Sequence, residues 1–261
     1  AAREAHPDTY FIIEHLGENK EEVEYVKYGI LPWRNMNNSY CQAAMGYASS
    51  SNFADNNNLK NITKNAPNSL GGMFTDGWVG YGESHDEERN MYKAVAYGDG
   101  NLQNEDAHAA RMARVPAVIA FTTLIPGPKM LWQFQELGYD YSINYCSGGR
   151  IDDGCRTYAK PIPWSLKWDE DPDRWAAYEK SGKVISLRTK NPEIFRAENF
   201  TSVNLIGVKW DTPRRMDISY KDETDSNKDI DIIVMANFSA TTNISTTANV
   251  PHTGTWINYL T

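Results

Sequence analysis

The chain has 261 residues, a formal net charge of −8 and 41% hydrophobic residues. This length allows one large domain or two smaller ones, and an acidic chain with no Lys/Arg-rich run argues against a nucleic-acid partner. A membrane-spanning helix needs about 20 apolar residues. The longest apolar run, Val115–Ile125, falls short of this and contains two threonines, so no membrane span is predicted.

Strands and helices are predicted to alternate along most of the chain. In chain order the predicted elements are strand Tyr10–Ile13, helix Glu18–Tyr28, strand Gly29–Trp33, helix Asn38–Tyr47, strand Trp78–Gly82, helix Asn104–Thr123, strand Lys129–Trp132 and helix Asp171–Lys190. Ser49–Asn68 is rich in Asn and Ser and predicts a long loop or an irregular insertion. The alternation favours βα units and a parallel sheet.

The last part of the chain has a different pattern. Short β-rich segments alternate there with polar turns: Ile206–Trp210, Asp217–Tyr220 and Ile230–Asn237. This pattern predicts an antiparallel β domain. We therefore expect two domains, residues 1–194 and residues 195–261.

Ionisable side chains directly follow two of the predicted strands. Tyr10–Ile13 runs into Glu14 and His15, and Trp78–Gly82 runs into a cluster that contains His85 and Asp86. In a parallel barrel such residues meet at one rim, where a carboxyl partly removed from water suits a general acid. The structural alternative is a helix-capping Glu14 and a solvated acidic turn around Asp86.

Glu136 follows the strand Lys129–Trp132 at a short distance. We predict a structural part for it, as a buried carboxylate that ties the strand end to neighbouring loops. Arg89 and Arg150 are its candidate partners, although both are also compatible with ordinary surface arginines.

Three cysteines are present, and two of them flank a polar, Gly-rich loop. Cys146 and Cys155 enclose this loop, which a disulfide would close, while Cys41 would be left over. Three free thiols are the alternative, and the sequence leaves both open. Without a nearby His these cysteines do not indicate a zinc site, and no metal ligand is assigned in this chain.

Three ordered segments resemble motifs of the alpha-amylase family of glycoside hydrolases. YFIIEHL resembles the fifth-strand motif of that family, ESHDEER the seventh-strand motif and GPKMLWQFQELG the eighth-strand segment. The resemblance implies the second half of a (β/α)8 TIM barrel followed by a partial antiparallel β-sandwich. Ser84 stands where the family usually has Asn, and Phe134 where many relatives have Gly.

The resemblance also implies roles for individual residues. Glu14 would be the general acid/base, and Asp86 the carboxylate that stabilises the transition state. His85 would bind substrate hydroxyls, with His15 and Arg89 as further substrate-binding candidates. The implied reaction is retaining hydrolysis of an α-glucan such as starch or a maltooligosaccharide.

In the family, the nucleophilic Asp and most calcium ligands lie on the first four strands, which would precede Ala1. We therefore expect a fragment that needs the N-terminal half of the barrel, is inactive alone and holds no cofactor, with calcium possible in the full-length protein. A glucan transferase or branching enzyme and a catalytically inactive carbohydrate-binding homologue are the alternatives. Secretion, or a periplasmic or cell-surface location, is expected because polymeric starch is extracellular.

Overall fold

The computed structural model describes residues 2–46, 77–125, 127–196, 202–206, 214–241, 243 and 249–261. In these ranges the strands are β1 (Phe11–Ile13), β2 (Ile30–Asn35), β3 (Val79–Tyr81), β4 (Lys129–Met130), β5 (Ser202–Ile206), β6 (Arg214–Tyr220) and β7 (Ile230–Ala236). The helices are α1 (Ala2–Ala5), α2 (Asn19–Lys27), α3 (Asn37–Met45), α4 (Asn90–Tyr97), α5 (Gly100–Gln103), α6 (His108–Met112), α7 (Val115–Thr123) and α8 (Pro172–Lys190).

The first four strands form one parallel sheet in the order β1-β2-β3-β4. Phe11 lies opposite Ile30, Trp33 opposite Val79, and Gly80 opposite Lys129. Consecutive parallel strands with intervening helices form a curled sheet that is consistent with part of a (β/α)8 barrel. The α/β prediction and the parallel pairing are confirmed.

One helix prediction needs correction, and helix α4 lies where no helix is predicted. The segment predicted as one helix, Asn104–Thr123, contains α6, α7 and a short 3₁₀ turn at Glu105–Ala107. Pro116 lies in the first turn of α7 and has no N–H for an earlier carbonyl, so a new helix begins here and the preceding one does not continue. Helix α4 was not predicted, because its eight residues are too few to show a clear period.

Some predicted segments fall partly or wholly outside the described residues. These are the loop Ser49–Asn68, the C-terminal residue of the helix Asn38–Tyr47, and residues 207–210 of the strand Ile206–Trp210. The described part of that last strand lies in β5, which begins earlier than predicted.

Strands β5, β6 and β7 form a separate antiparallel sheet. Met216 and Ile218 of β6 are almost fully buried in the same hydrophobic cluster as Tyr40 of α3 and Phe121 of α7. The ring of Phe238, just after β7, lies 6.0 Å from that of Phe121. In the described residues this sheet packs on helices, so the β-sandwich and the two-domain division remain predictions.

Several arginines link these layers through backbone carbonyl groups. Arg111, Arg114 and Arg174 are buried and Arg188 is half-buried, and each donates to carbonyl oxygens. Arg188, near the end of α8, bonds the carbonyls of Thr123, Ile125 and Gly127. Each guanidinium thus satisfies carbonyls that a helix end or a turn leaves without an intrahelical donor.

We expect Arg114→Met to lower the free energy of unfolding by about 2–4 kcal/mol. Arg114 donates to the carbonyls of Ala43 (3.1 Å), Phe238 (2.9 Å) and Ser239 (3.0 Å), and burial lowers its pKa to about 10. Methionine keeps the apolar stem but leaves these carbonyls without that donor. Urea unfolding of the purified chain measures the change. Lys20→Met, at an exposed pair with Glu18, is the control and should shift stability by less than about 0.5 kcal/mol.

Candidate active site

A carboxylate–imidazole–carboxylate group lies at the C-terminal rim of the parallel sheet. Glu14 comes directly after β1, and His85 and Asp86 follow β3 by a few residues. The His85 Nε2 atom lies 3.8 Å from Glu14 Oε2 and 3.6 Å from Asp86 Oδ2. One polar side-chain atom from each of the three residues lies within 4.8 Å of the other two. Two strands that are not adjacent in the sheet thus place their terminal side chains together.

Two tryptophans flank the imidazole of His85. The ring centroid of Trp33, on β2, lies 5.7 Å away and that of Trp132, just after β4, lies 6.0 Å away. The His85 side chain nevertheless remains 46% exposed. The group is therefore reachable from solvent and lies between apolar ring surfaces, a combination that suits a ligand with hydroxyl groups and apolar faces.

A buried ion pair supports the segment that carries His85 and Asp86. Arg89 Nε lies 3.1 Å from Glu83 Oε2, and both side chains are less than 5% exposed. Glu83 also accepts a hydrogen bond from the Asn90 N–H (2.7 Å), at the start of α4. Burial raises the pKa of Glu83, and Arg89 and this N–H act against that rise. The turn from Glu83 to Asn90 is thereby fixed at both of its ends.

Arg89 also connects this turn to the segment after β4. Its Nη2 donates to the Gln133 carbonyl, and its guanidinium lies 4.6 Å from the centre of the Tyr139 ring. Arg89 and His85 both border the cavity described below, but the Arg89 guanidinium already contacts these buried partners. Direct contact between Arg89 and substrate therefore stays a prediction.

Glu88 attaches the next loop to the same turn. Its carboxylate accepts hydrogen bonds from Ser142 Oγ (2.7 Å) and from the Ile143 N–H (2.9 Å). Its backbone carbonyl accepts from the Asn37 side-chain amide (2.7 Å) at the start of α3. The polar run ESHDEER is thus largely structural at Glu83, Glu88 and Arg89, while His85 and Asp86 remain accessible.

Arg156, which comes directly after Cys155, also contacts Asp86. Its Nη2 donates to Asp86 Oδ1 (2.9 Å) and to the Asp86 carbonyl (2.6 Å). The hydrogen bond from Arg156 lowers the pKa of Asp86, as does the neighbouring His85. Sequence reasoning missed this contact because the two residues are 70 positions apart. The one feature that could have indicated it is an Arg directly after Cys155, at the end of the disulfide-closed loop.

A cavity of about 380 Å³ lies beside this contact and is bordered by His85, Arg156 and Trp132. Phe134, on its wall, has a left-handed backbone with φ of 64°. Only Gly adopts this conformation without cost, which is a physical reason for Gly at this place in other chains. The Phe134 ring packs against Tyr139, with centroids 6.0 Å apart.

Two other candidate residues lie away from this group. His15 turns toward α2, where its ring lies 5.1 Å from that of Tyr25 and 3.6 Å from carboxylate oxygens of Glu21 and Glu22. Glu136 is half-buried and borders another cavity together with Tyr178 and Lys183 of α8, and burial raises its pKa. The buried carboxylate that pairs with Arg89 is Glu83. The substrate-binding role of His15 and the structural role of Glu136 remain predictions.

Cys146 and Cys155 form a disulfide, with Cα atoms 5.2 Å apart, and Cys41 is a free buried thiol. Burial raises the pKa of Cys41 to about 12, so this thiol is inert at neutral pH. Of the two alternatives that the sequence left open, the structure contains the bridged one.

Among the residues that the structure describes, two groups of side chains have a spacing that a cation could use: Glu14, His85 and Asp86, and His108, Asp171 and Asp173. In the first, Asp86 is already paired with Arg156. In the second, Asp171 caps α8 by accepting from the N–H groups of Asp173 and Arg174. Since these carboxylates have partners, we assign no metal to either group.

No family model and no curated protein sequence matches this chain. Among solved structures it is similar to apo pullulanase from Klebsiella pneumoniae, with a TM-score of 0.61, 12% identity, and coverage of 91% of this chain and 35% of that chain. The maltotriose complex of PulA from the same organism gives a TM-score of 0.62 at 14% identity, again with 91% and 35% coverage. The acarbose complex of an alpha-amylase from Geobacillus thermoleovorans gives 0.50 at 14% identity, with 85% and 41% coverage.

Sequence identities this low establish similarity of fold alone. The similarities support an alpha-amylase-family fold, which agrees with the family suggested by the sequence motifs. The chain spans about a third of the length of the pullulanase structures that it matches. No helix in the described residues is long and apolar enough to cross a membrane.

Proposed function

We propose that this chain carries part of the active site of an enzyme that hydrolyses α-glucans with retention of configuration. The observation that supports this most directly is the convergence of Glu14, His85 and Asp86 at the C-terminal rim of the parallel sheet. In barrel enzymes that rim is where catalytic residues lie. The similar structures include complexes with maltotriose and acarbose, which supports an oligosaccharide ligand.

In the proposed reaction Glu14 is the general acid. Its proton passes to the glycosidic oxygen as the bond from that oxygen to the anomeric carbon breaks, and an Asp from outside these 261 residues attacks that carbon. Glu14, now ionised, then takes a proton from water, whose oxygen displaces the Asp and restores the original configuration. The two carboxyl groups must be about 5 Å apart for this double displacement.

Asp86 and His85 act on the sugar that undergoes the reaction. A carboxylate beside the anomeric centre stabilises the positive charge that develops in the transition state. His85 is held close to both carboxylates and supplies a ring nitrogen for a sugar hydroxyl. Trp33 and Trp132 would contact the apolar faces of the sugar.

We also propose an oxidising location, whether secreted, periplasmic or at the cell surface. The Cys146–Cys155 disulfide supports this, since such bonds persist mainly outside the reducing cytosol.

The expected result is that the purified 261-residue chain does not hydrolyse starch, whereas the complete protein that contains it does. The reason is that Glu14 and Asp86 lack their nucleophile in the chain alone. Reducing-end release from starch measures activity, and NMR of the first product of the complete protein gives its anomer. Turnover by the chain alone, or a β-anomer as first product, would contradict the proposal.

A further inference from the structure

Arg156 makes two contacts with Asp86 that are unusual for an exposed ion pair. One nitrogen donates both to the carboxylate oxygen Oδ1 and to the backbone carbonyl of the same residue. Bonds to both groups restrict the rotation of the Asp86 side chain relative to its own backbone. They leave the other oxygen, Oδ2, on the side of His85, 3.6 Å from Nε2.

The loop that presents Arg156 is tightly closed. The Cys146–Cys155 disulfide joins its two ends, and the Cys146 N–H donates to the Arg150 carbonyl at 2.7 Å. Lys160 Nζ donates to the Cys155 carbonyl (2.6 Å) and the Tyr145 carbonyl (3.1 Å). A disulfide around so short a loop stabilises it by restricting the unfolded chain.

The 3₁₀ turn Asp153–Cys155 sets the direction in which Arg156 leaves this loop. Asp152 caps the turn by accepting from the Gly154 N–H at 2.9 Å, and Asn144 donates to the Asp153 carboxylate at 2.6 Å. Arg156 is the next residue, and its N–H bonds the Asp153 carbonyl. Little freedom remains in the backbone that carries the guanidinium.

We propose that Arg156 is a positioning residue: the disulfide-closed loop holds its guanidinium against Asp86 and thereby fixes the direction of that carboxylate. The inference depends on the proposed function only for the ligand that Asp86 contacts. A carboxylate fixed before the ligand binds does not have to be ordered during the reaction. The contribution of Arg156 is thus made through Asp86 and not by contact with the reacting bond.

The charged and titratable groups around Asp86 decide how the inference is tested. Arg156 and His85 contact it directly, and Glu14 and Glu87 lie on neighbouring segments. Partial removal from water opposes the ionisation of Asp86, whereas Arg156 and protonated His85 favour it. Removing Arg156 should therefore raise the pKa of Asp86.

The first test is a carboxyl ¹³C NMR titration of Asp86 in the purified chain. In Arg156→Gln we expect the pKa of Asp86 to move up toward its ordinary value of about 3.9 or beyond. Arg150→Gln is the matched control: Arg150 belongs to the same loop but pairs with Asp152 at 2.5 Å, so Asp86 should not shift. An unchanged pKa in Arg156→Gln would overturn the inference.

The second test asks whether the loop acts through Arg156. We expect the Cys146→Ser, Cys155→Ser double variant to shift the Asp86 titration in the same direction as Arg156→Gln. Adding Arg156→Gln to that variant should then cause little further change, because both alter one contact. Two full, additive shifts would mean that the loop does not position Arg156.

In the complete protein, Arg156→Gln should reduce kcat for α-glucan hydrolysis by roughly tenfold or more, with a smaller change in KM. Arg156→Lys, which keeps the charge but has a single nitrogen, should recover part of this loss. If the complete protein hydrolyses no α-glucan, the proposed function fails while the NMR tests still decide the positioning role. An unchanged kcat in an active Arg156→Gln enzyme would count against that role.

Discussion

Replacing Glu83 by alanine is expected to lower the free energy of unfolding by about 3–5 kcal/mol. Arg89 and Glu83 are both buried, at 3% and 1% exposure, so the variant leaves a guanidinium in the interior without its carboxylate. It also removes the acceptor of the Asn90 N–H at the first turn of α4. Chemical unfolding of the purified chain measures the loss.

The double variant Glu83→Met, Arg89→Leu separates the charge effect from packing. Two apolar side chains of similar volume bury no charge, so we expect a smaller loss than for Glu83→Ala alone. Glu21→Ala, at an exposed residue of α2, should change stability by less than about 0.5 kcal/mol. A Glu83→Ala variant as stable as Glu21→Ala would show that the pair does not hold this turn.

In the complete protein we expect Glu14→Gln to lower kcat by about 10²–10⁴-fold and Asp86→Asn by about 10²–10³-fold. Glutamine cannot donate the proton that the leaving oxygen needs, and asparagine lacks the negative charge that faces the transition state. The losses are measured with starch and with an aryl α-glucoside whose leaving group needs no proton.

The two substrates distinguish the two roles. In kcat/KM, which reports the first step, Glu14→Gln should be much less damaging with the aryl glucoside, whereas its kcat stays low because the second step still lacks its base. Asp86→Asn should impair kcat/KM for both substrates about equally. Glu18→Gln, at a solvent-exposed position close to Glu14, is the control and should retain full activity. Equal losses for both variants on both substrates would contradict the assignment of Glu14 as the acid.

The rim of the sheet could be predicted from the sequence because it depends on local patterns. Apolar runs that end in Glu14 and in His85-Asp86 indicate two strands, and parallel strands place their C-terminal ends at one edge. The helix ending at Lys190 was predicted equally well, since Asp171-Pro172 is a strong start signal. These features need no knowledge of distant contacts.

The contacts that hold the site residues in place could not be predicted in this way. Whether Glu83 or Glu136 faces Arg89 depends on which side chain the fold buries, and neither spacing nor composition decides this. The pairing of Arg156 with Asp86 likewise requires the path of a loop that joins distant parts of the chain. The positive φ of Phe134 depends on the turn after β4, where its residue type suggests no such conformation.

The arginines that bond internal carbonyls also affect which charges a solute meets at the protein surface. Only 26 of its residues are Lys or Arg against 34 Asp and Glu, and Arg111, Arg114, Arg174 and Arg188 direct their guanidinium groups at internal carbonyls. Because these cations lie largely inside, the charged groups at the surface are more acidic in balance than the composition suggests, and the net charge of −8 gives a negative outward field. Anionic polymers would be repelled by such a field, whereas an uncharged polymer would reach the cleft by diffusion at a rate nearly independent of ionic strength.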